Sequence, residues 1–229
     1  MKKILFIFLC VAGMATAEAQ DKLQASLGAD LVSQYIWRGQ DLGDASLQPS
    51  LGIGWQGLSL SAWGSVGITD PRDTKELDLT LGYTYEGFNV GVTDYWFSNG
   101  SYFKYKAHQT THVWEANLGY DFGFLNVQWY TNFAGDDGVN KDGKRAYSSY
   151  LELSAPFRLG NLDWTATLGT VPYATTLYDA NGFCITNVSL RATKDFVIKE
   201  RYHLPLFVGL TANPRSEKLY LLFGASFSL

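Results

Sequence analysis

The stretch Ser33–Trp55 reads SQYIWRGQDLGDASLQPSLGIGW. It closes one run in which apolar and polar residues alternate, breaks at a Gly/Asp-rich loop, and opens a second such run. Trp37 and Arg38 stand side by side at the break. Neighbours in a β-strand point to opposite faces, so the tryptophan and the fixed charge are expected to face different media. The run leading in sets Leu23, Ala25, Leu27, Ala29, Leu31, Tyr35 and Trp37 against Gln24, Ser26, Gly28, Asp30, Gln34 and Arg38. The run leading out sets Leu47, Leu51, Ile53 and Trp55 against Gln48, Ser50, Gly52 and Gly54.

The same period of two continues to the end of the chain. Gln56-Gly57 turns into a third run, with Leu58, Leu60, Ala62 and Val66 on one side and serines on the other. The cleanest is the fourth: Leu77, Leu79, Leu81, Tyr83 and Tyr85 against Glu76, Asp78, Thr80, Gly82 and Thr84. Glu86-Gly87 leads to a fifth, with Phe88, Val90, Val92 and Trp96 on the apolar side. Further strands are predicted near 110–121, 124–133, 145–157, 161–171, 183–193, 203–212 and 218–229, which makes twelve. The last, LYLLFGASFSL, alternates strictly up to the final Leu229 and resembles the closing strand of a bacterial outer-membrane barrel.

Tight turns near 56–57, 86–87, 121–123 and 158–161 alternate with longer polar loops near 39–45, 68–75, 98–109, 134–144 and 172–182. The stretch 194–202 is too long for the tight turn its place requires, and is read as extending both flanking strands. Short turns on one side and long loops on the other mark a transmembrane β-barrel. Soluble β-sandwiches and lipocalin-like barrels alternate too, but their apolar face fills a core. Runs of about ten residues suit a tilted membrane crossing. The second face, rich in Gly, Ser, Thr and Asn with scattered carboxylates, suits a watery lumen. The fold class expected is therefore all-β, a transmembrane antiparallel up-and-down barrel of about twelve strands.

The N-terminus MKKILFIFLCVAGMATAEAQ carries two lysines, a short apolar core and small residues in A-x-A patterns, as a secretory signal peptide does. The organisation read is a signal peptide over 1–19 and the barrel over 20–229, Sec-exported to the bacterial outer membrane. Cys10 follows the bulky Phe8 and Leu9, against a lipid-attachment site. Cleavage near Ala19 removes two lysines and Glu18, which takes the net charge from −4 to about −5 and leaves Cys184 without a disulfide partner. With this mild acidity and no basic run, nucleic acid is not an expected partner.

Trp37, Tyr83, Tyr85, Trp96, Trp114, Trp129 and Trp164 share the apolar parity and are expected to form membrane-interface girdles, with outer-membrane lipid and lipopolysaccharide as partners. The charged residues of polar parity are Asp30, Arg38, Glu76, Asp78, Glu115, Glu152, Asp163 and Arg191. They are the pore-lining candidates, either as a mildly cation-preferring path filtered by the arginines or as ion pairs bracing the wall. A twelve-strand barrel has a backbone radius of roughly 12 Å, so the lumen is narrow. Asp94 falls on the apolar parity and its facing is left open.

Other segments suggest further chemistries. The loop FSNGSYFKYKAHQ is read as a solvated loop with aromatic anchors, with inward constriction or glycan binding as alternatives. At its start, WFSNG resembles the nucleophile segment of twelve-stranded outer-membrane phospholipases, but Trp96 stands where their histidine belongs; only His108 or His112, approaching Ser98 from the neighbouring strand, could replace it, and no catalytic residue is assigned. His108, His112 and Glu115 do not share a face and make no expected metal site. GDDGVNKDGK lacks the first Asp and last Glu of a calcium loop and is read as a turn. No cofactor is expected.

The opening stretch, together with LGYTYEGFNVGVTDYWF, HVWEANLGYDFG and YSSYLELSAPF, resembles the TorF family of porin-like outer-membrane proteins over most of the chain. The resemblance implies the fold and the location. The function expected is passive diffusion of small hydrophilic solutes or ions, with a non-conducting barrel acting through its loops as the alternative and a lipid-modifying enzyme third. Self-association into a homo-oligomer is compatible with any of these.

Overall fold

The computed structural model describes residues 22–70, 72–98, 100–199 and 202–228. The signal-peptide expectation lies outside them, as do Asn99 and Leu229. The strands are β1 (Gln24–Val32), β2 (Tyr35–Trp37), β3 (Gln40–Gly43), β4 (Ser46–Trp55), β5 (Leu58–Gly67), β6 (Glu76–Tyr85) and β7 (Phe88–Phe97). They continue as β8 (His112–Asp121), β9 (Asn126–Gly135), β10 (Ser149–Leu159), β11 (Leu162–Val171), β12 (Cys184–Ile198), β13 (Tyr202–Asn213) and β14 (Lys218–Ser228).

Twelve of these close into one antiparallel barrel in which each strand pairs with its neighbours in the chain, and β14 returns to β1. The expected fold, a closed antiparallel barrel of twelve strands, is thereby met. Closure leaves no free sheet edge. The seam between β1 and β14 is short, with five paired positions from Gly28↔Ser228 to Val32↔Gly224. By contrast β12 and β13 pair over eleven positions, from Val188↔Ala212 to Ile198↔Tyr202, as their sequence length suggested.

The apolar faces all point outward. Leu27, Leu51, Leu81, Val90, Leu118 and Leu221 are among many large side chains left exposed on the outer wall. An exposed apolar band of this extent is what a soluble protein avoids and a lipid-embedded wall requires. Two-residue turns join strands at one end. In Gln56-Gly57 and Glu86-Gly87 both residues have positive φ, the geometry that matches the twist of flanking strands.

One expectation fails. Tyr35 and Trp37 do not extend β1 along the outer wall. The chain bends at Ser33 and Gln34, and β2 and β3 form a separate two-stranded hairpin. Its turn is Arg38-Gly39, with φ of 50° and 79°. Trp37 pairs with Gln40 across that turn. The bend resets the alternation, so Trp37 is no member of a membrane girdle. Both aromatics enter the lumen.

Candidate functional site

Register places Asp30, Glu76, Asp78, Glu115, Glu152 and Arg191 on the inner face; Asp30 lies opposite Gln48, Glu115 opposite Thr93, Glu152 opposite Gly169 and Arg191 opposite Thr165, whereas Glu76 and Asp78 lie opposite Phe97 and Tyr95. Asp163 has the same parity but lies beside the tight turn into β11, exposed, 3.8 Å from Arg158. Small inner residues such as Gly54, Ser59, Gly82 and Thr165 line the turn end of the bore. The loop end is filled differently.

There the β2–β3 hairpin carries Arg38 into a ring of side chains from four other elements. Its Nη1 and Nη2 donate to the two Glu115 carboxylate oxygens at 2.6 and 2.9 Å. Nη1 also donates to the Tyr178 hydroxyl at 2.7 Å. The guanidinium carbon lies 4.5, 4.1 and 4.7 Å from the ring centres of Trp37, Tyr130 and Tyr150. The Arg38 and Glu115 side chains are 7% and 4% exposed. A bidentate fork and flanking rings suit a planar guanidinium, and without them a buried charge would be very costly.

The ring is itself braced. Tyr95 donates to Glu115 Oε1 at 2.8 Å. The Asn187 side-chain amide donates to the Tyr150 hydroxyl at 3.2 Å. Trp37 stacks on Tyr178 at 5.8 Å, which stacks in turn on Tyr150 at 5.8 Å. Tyr178 comes from a single 3₁₀ turn, Thr176–Tyr178, in the connection between β11 and β12. Burial raises its phenol well above the usual range, although Arg38 pulls the other way, so it stays a neutral hydroxyl. Next to the ring, Tyr35 donates to Glu76 Oε2 at 2.7 Å and packs on Trp63 at 5.6 Å.

Arg38 and Glu115 were both expected in the lumen, and the fold brings them together. The tyrosines were missed. Tyr95, Tyr130 and Tyr150 carried a signal, because each falls on the polar parity of its strand. Tyr178 carried none, since a loop residue has no parity to read. Arg191 sits apart, with its guanidinium carbon 3.6 Å from the Phe207 ring centre.

The outer wall holds the other aromatics. Tyr83, Tyr85 and Trp129 are exposed there, while Trp164 stacks on Phe157 at 6.1 Å. Trp96 and Trp114 face outward beside Asp94. The loop after β7 does not enter the bore. It lies against this wall, where Tyr102 packs on Trp96 and Tyr105 on His112 at ring distances of 5.4 and 4.3 Å. His112 is fully buried beneath it, with Nδ1 2.7 Å from Asp94 Oδ1 and Nε2 2.6 Å from the Tyr102 carbonyl. Glu115 points into the lumen, away from His112. Among the described residues no three metal-ligating side chains converge.

A model of the Gcw_chp family, described as a bacterial protein of unknown function, matches residues 16–196. The chain belongs to the Gcw_chp family. No curated protein matches it. Among solved structures, the Gcw_chp chain is similar to the NanC porin, with a TM-score of 0.50 and 11% identity over 90% of this chain and 100% of that one. It is also similar, more distantly, to an OmpF from Salmonella typhi solved in complex with daunomycin, with a TM-score of 0.39 and 10% identity over 94% and 100%. The first likeness makes the Gcw_chp fold a porin-like barrel. The family match does not carry the TorF name.

Proposed function

We propose that this Gcw_chp protein is an outer-membrane channel for passive diffusion of small hydrophilic solutes or ions, with a preference for cations. The observation that carries the reading is a polar, net-acidic inner face inside a closed barrel with an apolar outer wall. Arg38 neutralises Glu115, and the inward acids Asp30, Glu76, Asp78 and Glu152 stand against Arg191. Carboxylates along a narrow bore favour cation entry. The long-loop end would face outward and the tight turns the periplasm, with lipid and lipopolysaccharide around the wall. The resemblance to TorF proteins agrees with this reading.

The test is single-channel conductance of the refolded barrel in a planar bilayer under a salt gradient. Small, stable steps with a cation-signed reversal potential are expected, and replacement of Glu76 and Asp78 by glutamine and asparagine should weaken the preference. Silence from a folded, heat-modifiable barrel would instead favour a non-conducting barrel acting through its loops. The hairpin across the bore is the observation on that side. A lipid-modifying enzyme has less support: both His112 ring nitrogens are engaged away from Ser98, leaving that hydroxyl without this base.

A further inference from the structure

The ring around Arg38 has the form of a ligand site with its ligand in place. Of the groups that touch the guanidinium, only Trp37 shares its hairpin. Glu115 belongs to β8, Tyr130 to β9, Tyr150 to β10 and Tyr178 to the 3₁₀ turn. The contacts that fix those four do not all run through Arg38. Tyr95 holds the Glu115 carboxylate, Asn187 holds the Tyr150 hydroxyl, and Tyr150 stacks on Tyr178. Withdrawal of one side chain would leave a carboxylate fork, a hydroxyl and aromatic faces arranged around a planar cation.

The turn that delivers Arg38 fits the same view. Arginine is an unfavourable choice at φ 50°, where Asn, Asp and Gly dominate. Residues held in sparsely populated backbone regions cluster at clamps and switches. Gln56 and Glu86 hold the same place in two tight turns, so what sets Arg38 apart is the buried set of contacts its head group makes.

We propose that Glu115, Tyr130, Tyr150 and Tyr178 form a binding site for a guanidinium-bearing solute, which Arg38 occupies as an internal latch that closes the loop end of the lumen. The reading that the barrel conducts supplies a role for the latch, but the site stands on its own geometry. An acid-lined bore gathers cations, and the one cation class that matches this site, fork and ring face together, is the class that competes with Arg38. A compact ammonium or sodium ion cannot use the planar fork.

The experiment uses the full barrel refolded in detergent as wild type, as Arg38→Asn and as Arg38→Asn with Glu115→Gln. Arg38→Asn keeps a favourable turn and removes only the guanidinium. The probe is methylguanidinium chloride, at concentrations well below denaturing, against sodium and methylammonium chlorides at equal ionic strength. The expected result is a saturable rise in the urea midpoint of Arg38→Asn with methylguanidinium alone, absent in wild type and in the double variant. Equal shifts in all three proteins, or no shift in Arg38→Asn, would overturn the proposal. Should Arg38→Asn fail to refold, refolding yield becomes the readout. Recovery with methylguanidinium alone supports the site, and failure in every salt rejects it. In bilayers, Arg38→Asn should conduct more than wild type and methylguanidinium should reduce that current. A midpoint shift without any current would retain the site and discard the channel.

Discussion

Arg38 carries a charge that no accessible pH removes, and its place in the lumen is tenable only because Glu115 meets it with two oxygens. Glu115→Gln leaves that charge buried without its counter-ion. The expected cost is about 3–5 kcal/mol, read as a lower urea midpoint for the refolded barrel. Much of it should be regained when Arg38 is replaced as well, because the two residues share one interaction. Tyr150 makes the same point sterically. Its hydroxyl would lie within 1.8 Å of a Cβ at Gly169 on the neighbouring strand, so the ring reaches its position over a residue that has no side chain. Gly169→Ala should displace Tyr150 and destabilise the barrel by about 1–3 kcal/mol. An unchanged midpoint would mean that the ring has another place to go.

At the scale of elements, the hairpin β2–β3 is the part that makes this barrel more than a tube. It is moored at its turn. Asn213 donates to the Gly39 carbonyl at 2.9 Å, and a Cβ on Gly39 would lie 1.8 Å from the Thr186 carbonyl oxygen. Gly39 also has φ 79°, where an L side chain is strained. Gly39→Ala should therefore lift the turn from its mooring and raise single-channel conductance. Conductance at or below the wild-type level would show that the hairpin does not limit the path. The strands were legible in the sequence because period 2 is imposed twice, by an apolar outer face and a polar inner one. The hairpin was not, since Tyr35 and Trp37 keep the parity of β1 across the bend at Ser33 and Gln34. The one available signal was a two-residue turn ending in glycine, disguised by an arginine where asparagine is usual. The outer-wall cluster escaped for a related reason: Asp94 and His112 have lipid parity, and only the loop that covers them explains two polar groups there.

For the whole molecule, the decisive property is which face meets which medium, and one substitution on each face separates them. Leu81 is exposed in mid-strand on the outer wall, whereas Ser61, on the adjacent strand β5, faces inward opposite Thr80. Leu81→Arg should reduce the heat-modifiable, inserted fraction in lipid vesicles by the equivalent of about 2–4 kcal/mol. Ser61→Arg should insert far better, since the bore hydrates its charge. Equal behaviour of the two variants would contradict a lipid-facing wall. The lumen was readable from parity as far as its charges, Asp30, Glu76, Asp78, Glu115, Glu152 and Arg191. Their pairing was not, because it depends on where two connections fold after the strands have closed.

The short seam sets an order of events for folding. Ser33 and Phe223 exchange hydrogen bonds across 190 residues of chain, and nothing nearer in sequence can stand in for them. Contacts this remote form late and slowly. Until they do, β1 presents a bare edge, and the groups that will enclose Arg38 have no closed wall to hold them. A chain cut short by the eleven residues of β14 would keep two such edges for good, β1 and β13. Its natural recourse would be to pair with other copies of itself, and so to aggregate.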